Sequence, residues 1–110
     1  MAFEVRDMSG AAVVSLSGDV DLQTSPSVRQ KLLECLEKNR RIVVDMSAVS
    51  YIDSSGVASL VEAFQVSRKK GAIFALCSVS GSAMRVLNLA RLDKVFSIHP
   101  TVEAALAAQG

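Results

Sequence analysis

Two short segments hold most of the polar groups that could do chemistry in this chain: Gly18-Asp19-Val20-Asp21-Leu22 and Asp53-Ser54-Ser55-Gly56. The second puts a carboxylate, two hydroxyls and a glycine in consecutive positions. A hydroxyl beside a carboxylate can serve as a nucleophile, as an acceptor of a phosphoryl group, or as a helix cap. A nucleophilic serine needs a base, yet the only histidine is His99, next to Pro100, and no G-x-S-x-G elbow is present. Neither G-x-x-x-x-G-K-[ST] nor G-x-G-x-x-G occurs, so nothing marks a nucleotide-phosphate loop. The residues therefore describe a binding module and not an enzyme, and they imply no cofactor or metal.

Two readings of the hydroxyls remain. In one, Asp53 or Ser54 accepts a free backbone N–H at a helix start, a role worth about 1 kcal/mol, and Gly56 relieves crowding. In the other, Ser54 is an exposed phosphoacceptor at a strand-to-helix corner. A phosphate there gains about 0.3–1 kcal/mol from the positive helix end, while the neighbouring Asp53 opposes the added charge. These contributions largely offset, so a domain stable by about 5–15 kcal/mol keeps its fold. At an interface the same group would have to be desolvated against a surface shaped for a neutral hydroxyl. Converting a complex from mostly bound to mostly free takes about 5.5 kcal/mol, a magnitude that burial of an unpaired charge reaches.

The elements that position these segments follow from periodicity. Phe3 to Met8 alternates, Ser9-Gly10 signals a turn, and Ala11 to Leu16 is apolar and β-branched, which predicts an opening hairpin. Gly18 to Leu22 is expected to interrupt regular structure. Ser25-Pro26 offers an N-cap and first-turn proline for a helix whose Val28, Leu32, Cys35 and Leu36 share one face and which ends at Lys38-Asn39-Arg40. The apolar run in Arg41 to Met46 predicts a central strand covered on both faces. A loop from Ser47 to Ile52 then leads to a second helix starting near Ser54, with Val57, Leu60, Val61 and Phe64 on one face and Arg68-Lys69-Lys70-Gly71 at its end. Ala72 to Cys77 reads as a strand. Ser80-Gly81-Ser82 begins a third helix with Met84, Leu87 and Ala90 aligned, Val95 to Ile98 is a last strand, and Thr101 caps a fourth helix ending near Ala108.

The order β-β-α-β-α-β-α-β-α predicts an α/β fold: a mixed, mostly parallel sheet with an antiparallel edge strand and about four helices packed on it. With 110 residues and no linker or repeat, residues 1–110 are expected to form one domain. Half of the residues are hydrophobic and 21% are charged, which is too apolar for disorder. Twelve basic and eleven acidic side chains leave a net charge of +1, so no field gathers nucleic acid or an anionic membrane. Cys35 and Cys77 lie apart among apolar neighbours and read as core residues in a reducing compartment. No apolar run approaches the roughly 20 residues that span a bilayer, and charges occupy the place of a signal peptide's apolar stretch. The cytoplasm is the expected location.

From Val13 to Leu106 the chain resembles the STAS family, most closely its stand-alone anti-sigma factor antagonists. The likeness rests on the joint order and spacing of Leu16-Ser17-Gly18-Asp19-Val20-Asp21, Ile42-Val43-Val44-Asp45-Met46 and Tyr51-Ile52-Asp53-Ser54-Ser55-Gly56-Val57. The resemblance implies that Ser54 is phosphorylated by a partner that is both anti-sigma factor and serine kinase. It implies that the unphosphorylated form binds this partner and releases a sigma factor, and that a PP2C-type phosphatase resets the switch. Asp19 and Asp21 match the acidic loop that contacts the partner, with Asp53, Ser55 and Gly56 around the switch serine. Read from residue type alone, Asp19 and Asp21 are solvated loop carboxylates.

Many antagonists continue the switch motif with Gly-Leu-Gly, whereas this chain has Gly56-Val57-Ala58, which bears on partner identity more than on fold. A non-catalytic scaffold, or a soluble subunit of a lipid-transport or signalling complex, is the alternative within the same family. A response-regulator receiver, with Asp45 as acceptor, matches poorly: only Asp7 lies near the first strand, and Lys94 precedes the last strand instead of following it.

Overall fold

Ser9 and Gly10 both take positive φ, 53° and 80°, the backbone a type I′ turn requires. The turn joins β1 (Ala2–Met8) to β2 (Ala11–Val20) in antiparallel register, from Ala2↔Ser17 to Met8↔Ala11. The computed structural model describes residues 2–109. After β2 come α1 (Ser25–Lys38), β3 (Arg41–Ile52), α2 (Ser54–Lys70), β4 (Ile73–Cys77), α3 (Gly81–Leu89), a 3₁₀ turn (Leu92–Lys94), β5 (Ser97–His99) and α4 (Val102–Gln109).

The five strands lie in sequence order, β1-β2-β3-β4-β5, and all neighbours from β2 to β5 are parallel. Right-handed crossovers that always step the same way place their helices on the same face of a sheet. Accordingly α1, α2 and α3 share one large core with Ala12, Val14, Leu16, Ile42, Val44 and Leu76. Among the described residues α4 is the helix that covers the other face, where Ala105 packs with Val13, Val43 and Cys77. The run Ile42-Val43-Val44 thus meets helices on both sides of the central strand, and all three residues are fully buried.

Local details follow from capping and packing. Gly71, at φ 69°, ends α2 in the left-handed conformation just after Arg68, Lys69 and Lys70, which complement the helix dipole. Val28, Leu32, Cys35 and Leu36 form the buried face of α1 as their spacing predicts. Phe64, Phe74 and Phe96 pack with ring centroids 5.4–6.3 Å apart. Cys35 and Cys77 are free and buried; burial raises both thiols, Cys77 to about 11, so neither presents a ready thiolate.

The structure differs from the sequence reading at several element ends. Gly18 to Val20 belongs to β2, and Ser47 to Ile52 belongs to β3, because the two strands keep pairing in parallel to Val20↔Ile52. Register shifts after Ser15 and Gly18, the latter at φ 82°, absorb the irregular sequence. The N-cap of α1 is Thr24, with Ser25 already inside the helix and buried, because Asp21 and Thr24 close the preceding turn between them. In α3 the buried pair is Ala83 and Leu87, while Ala90 is exposed at the C-cap. The last strand starts at Ser97: the 3₁₀ turn binds the N–H groups of Val95 and Phe96 to the Leu92 carbonyl and keeps both out of the sheet. β5 also runs one residue further than Ile98, to His99, which pairs with Cys77.

Leu60 is completely buried beneath α2, whereas Leu89 is 81% exposed at the end of α3. Leu60→Ala is expected to lower the unfolding free energy by about 2–5 kcal/mol. Leu89→Ala should stay within about 0.5 kcal/mol of the parent, as measured by urea denaturation.

Candidate functional site

The parallel strands β2 and β3 end side by side, and the Asp53 N–H donates to the Val20 carbonyl at 3.2 Å directly beyond their last pair. The loops that leave the two strands are therefore neighbours at the carboxyl end of the sheet, the position where such sheets build their sites. This brings Asp19 and Asp21 next to the start of α2.

Asp53 is the N-cap of α2. Its Oδ1 accepts from the N–H of Ser55 at 3.0 Å, the N–H of Gly56 at 3.1 Å and the hydroxyl of Ser55 at 2.5 Å. These donors hold the carboxyl below the usual 3.8, the Ser55 hydroxyl most strongly, with the N–H groups of Gly56, Ser55 and Leu22 adding to it. Leu22 belongs to the loop after β2.

That loop is ordered by its own side chains. Asp21 Oδ1 accepts from the N–H groups of Gln23 and Thr24 at 3.0 and 3.1 Å. Thr24 Oγ1 accepts from the Asp21 N–H and donates to the Asp19 carbonyl, both at 2.9 Å. Asp21 and Thr24 thus satisfy each other reciprocally, in the manner of a capping box. The carboxylate of Asp19 stands in solvent.

Gly56 sits where the first turn of α2 presses on the sheet. A Cβ there would lie 2.6 Å from the Val20 carbonyl oxygen, 2.7 Å from Ile52 Cγ1 and 2.8 Å from Val20 Cγ1. Only a residue without a side chain permits this approach. Ser59 reinforces it from the next turn by donating to the Ser25 carbonyl at 3.1 Å, which links α2 to α1.

Among the residues singled out from the sequence, Asp19 and Ser54 are exposed, Asp21, Asp53 and Ser55 are half-buried, and Gly56 is buried. All six gather in one corner. Since Asp53 supplies the cap, the Ser54 hydroxyl is released from that duty, and among the described residues it has no hydrogen-bond partner. No base is aimed at it: His99 lies in β5, on the far side of β4 from the β3–α2 corner. The arrangement leaves the Ser54 hydroxyl exposed at the start of α2.

The structure adds surface that the sequence reading did not single out. Leu22 and Tyr51 are 76% and 52% exposed, flanking the acidic loop and the end of β3. A groove beside Ser54 is lined by Arg29, Val57, Ala58, Val61, Glu62 and Gln65, and Arg29 pairs with Glu62 across it. Leu22, apolar within a polar turn, was a readable signal. The groove depends on how α1 lies against α2, which no local pattern encodes.

Gly56→Ala should destabilise the protein by about 1–3 kcal/mol in denaturant unfolding, as overpacking does, although alanine is the better helix former. Because Asp53 has a lower pKa in the folded state, its stabilisation is complete above its unfolded pKa and disappears as pH falls through the folded value. The melting-temperature gap between the parent and Asp53→Ala should therefore be constant above about pH 5 and shrink below it.

The STAS domain model matches residues 2–105. The chain is 28% identical over 108 residues to an anti-sigma F factor antagonist of Paenibacillus polymyxa, covering 96% of this chain and 92% of that one. It is 31% identical over 105 residues to the anti-sigma-F factor antagonist RsfB of Mycobacterium tuberculosis, covering 93% and 84%. A crystal structure of an anti-sigma factor antagonist from Mycobacterium paratuberculosis superposes with a TM-score of 0.89 at 30% identity, over 97% of this chain and 92% of that one. With a match that runs from β1 into α4, the chain belongs to the STAS domain family.

Proposed function

We propose that this protein is an anti-sigma factor antagonist whose capture of an anti-sigma factor is switched off by phosphorylation of Ser54. The observation that carries this reading is the division of labour at the start of α2, where Asp53 makes the cap and leaves the adjacent Ser54 hydroxyl exposed and unpaired. A hydroxyl with no structural bond can be modified without loss of fold. The names of the relatives support the same role.

In this reading the partner binds over Ser54, the exposed carboxylate of Asp19, the Asp21 loop and the half-buried pair of Asp53 and Ser55. Gly56 acts from behind the surface by setting how closely the helix approaches the sheet. A phosphoserine adds about two negative charges beside three aspartates. In the free protein water screens them, and the helix end partly compensates. In the complex they would be desolvated against a surface that had fitted a hydroxyl, and the complex dissociates.

The partner is accordingly both anti-sigma factor and serine kinase, a PP2C-type phosphatase reverses the modification, and the exchange takes place in the cytoplasm. The protein works by binding and catalyses nothing itself. Among the described residues no helix is long and apolar enough to cross a membrane.

Incubation with ATP and the anti-sigma kinases of the same genome, followed by fragment-mass analysis, should place a single phosphate on Ser54 and none on the Ser54→Ala variant. Ser54→Ala should bind the anti-sigma factor as tightly as the parent and resist release by ATP. Ser54→Glu should fold with an unchanged melting temperature yet bind at least about tenfold more weakly by titration calorimetry. Absence of phosphate with every such kinase would favour the scaffold or transport-subunit reading.

A further inference from the structure

The two edges of the sheet differ in length. β5 offers three residues, Ser97–His99, whereas β1 runs from Ala2 to Met8, and among the described residues its only strand neighbour is β2. In a hairpin closed by a two-residue turn, the flanking pair Met8↔Ala11 is hydrogen-bonded, and bonded pairs then alternate along the ladder. Met8, Arg6 and Glu4 therefore bond to β2. Asp7, Val5 and Phe3 turn their N–H and C=O groups away from it, and among the described residues these groups meet no partner.

We propose that this edge is a homodimer interface, in which two β1 strands pair antiparallel about a two-fold axis through Val5 and join two five-stranded sheets into one. The register is selected by charge. Outward-facing residues must oppose one another, which allows an axis through any residue of β1; axes at Phe3 and Asp7 pair only the end of the strand, so Glu4, Val5 and Arg6 are the ones that pair most of it. An axis at Glu4 sets Glu4 against its own copy, and one at Arg6 does the same for Arg6; like charges directly opposite are unfavourable. An axis at Val5 sets each Glu4 opposite the Arg6 of the second copy and Val5 opposite Val5. Glu4 and Arg6 are exposed and already form a 3.7 Å ion pair within one chain, so their shared face is in place for the cross-strand pairs.

The other face of β1 fits the same register. Val5 is 42% exposed at the rim of a 480 Å³ groove between β1 and α1, whose lining includes Asp7, Lys31, Glu34, Cys35 and Lys38. Pairing through Val5 places an apolar side chain of the second copy at that rim. It also sets Asp7 of the second copy opposite Phe3, above which the Lys31 ammonium lies 5.7 Å from the ring centre. Charges on an edge strand commonly keep it from pairing at all. Here their order along the strand is self-complementary. β1 lies on the far side of β2 from β3, so the dimer leaves both Ser54 corners uncovered.

Sedimentation equilibrium of the full chain should show a monomer that converts to a dimer as concentration rises. Val5→Pro deletes only an outward N–H and should remain monomeric at every concentration, with an unchanged circular dichroism spectrum. Glu4→Arg should weaken the dimer about tenfold, and the double variant Glu4→Arg/Arg6→Glu should restore it. In a Cys35→Ala background, Val5→Cys should form a disulfide-linked dimer on mild oxidation, whereas Glu4→Cys and Arg6→Cys should not; this decides the matter even if Val5→Pro fails to fold. A parent that stays monomeric, or cross-linking no better at position 5 than at 4 or 6, would overturn the proposal.

Discussion

The contact between the first turn of α2 and the ends of β2 and β3 is the constraint on which the site depends. Gly56 lies against the Val20 carbonyl and the side chains of Val20 and Ile52, closer than any Cβ could come. That approach, with the Asp53 N–H bonded to the same Val20 carbonyl, fixes where the helix starts relative to the strands. Everything at the corner is then positioned by rigid elements: the Asp53 cap, the exposed Ser54, Asp19 at the end of β2 and Asp21 in the turn after it. A side chain at Gly56 would shift all of them together, because close-packed interiors transmit small displacements instead of absorbing them.

Capping and exposure are assigned to different residues, and this has a thermodynamic consequence. Asp53 satisfies the orphan N–H groups of Ser55 and Gly56, so the stability of the helix start does not rely on Ser54. Under the proposed function, a charge change at Ser54 would then act on what binds the surface and hardly on the fold. Were Ser54 the cap, modification would alter folding and binding at once, and a reversible binding switch would also loosen the helix that presents it.

The layering of the molecule follows from its strand order. Stepping in one direction from β2 to β5 stacks α1, α2 and α3 on one face and leaves the other to α4. This makes β3 central and doubly buried, gives α2 a broad bed and, among the described residues, leaves β1 as the long edge with one strand neighbour. The edge is populated by Glu4, Arg6 and Asp7, residues that keep a lone strand soluble and whose order also suits a second copy.

Much of this was legible in the chain itself. Ile42-Val43-Val44 announces a strand buried on both faces, the helical spacing of Val28, Leu32, Cys35 and Leu36 marks one buried stripe, and Ser9-Gly10, Gly71 and Thr101 each mark an element end through local backbone chemistry. Asp53-Ser54-Ser55-Gly56 identifies a helix start for the same reason. What the sequence left open required partners distant in the chain. Gly18-Asp19 and the serines of Ser47 to Ile52 read locally as breaks, and both segments are strand because β2 and β3 go on pairing to Val20↔Ile52. Likewise, that Asp53 caps while Ser54 stays free, and that Gly56 serves packing, depends on the approach of Val20 from another strand. Periodicity and turn chemistry are local and can be read along the chain, whereas register, close approach and exposure are properties of pairs of segments and exist only once the chain has folded.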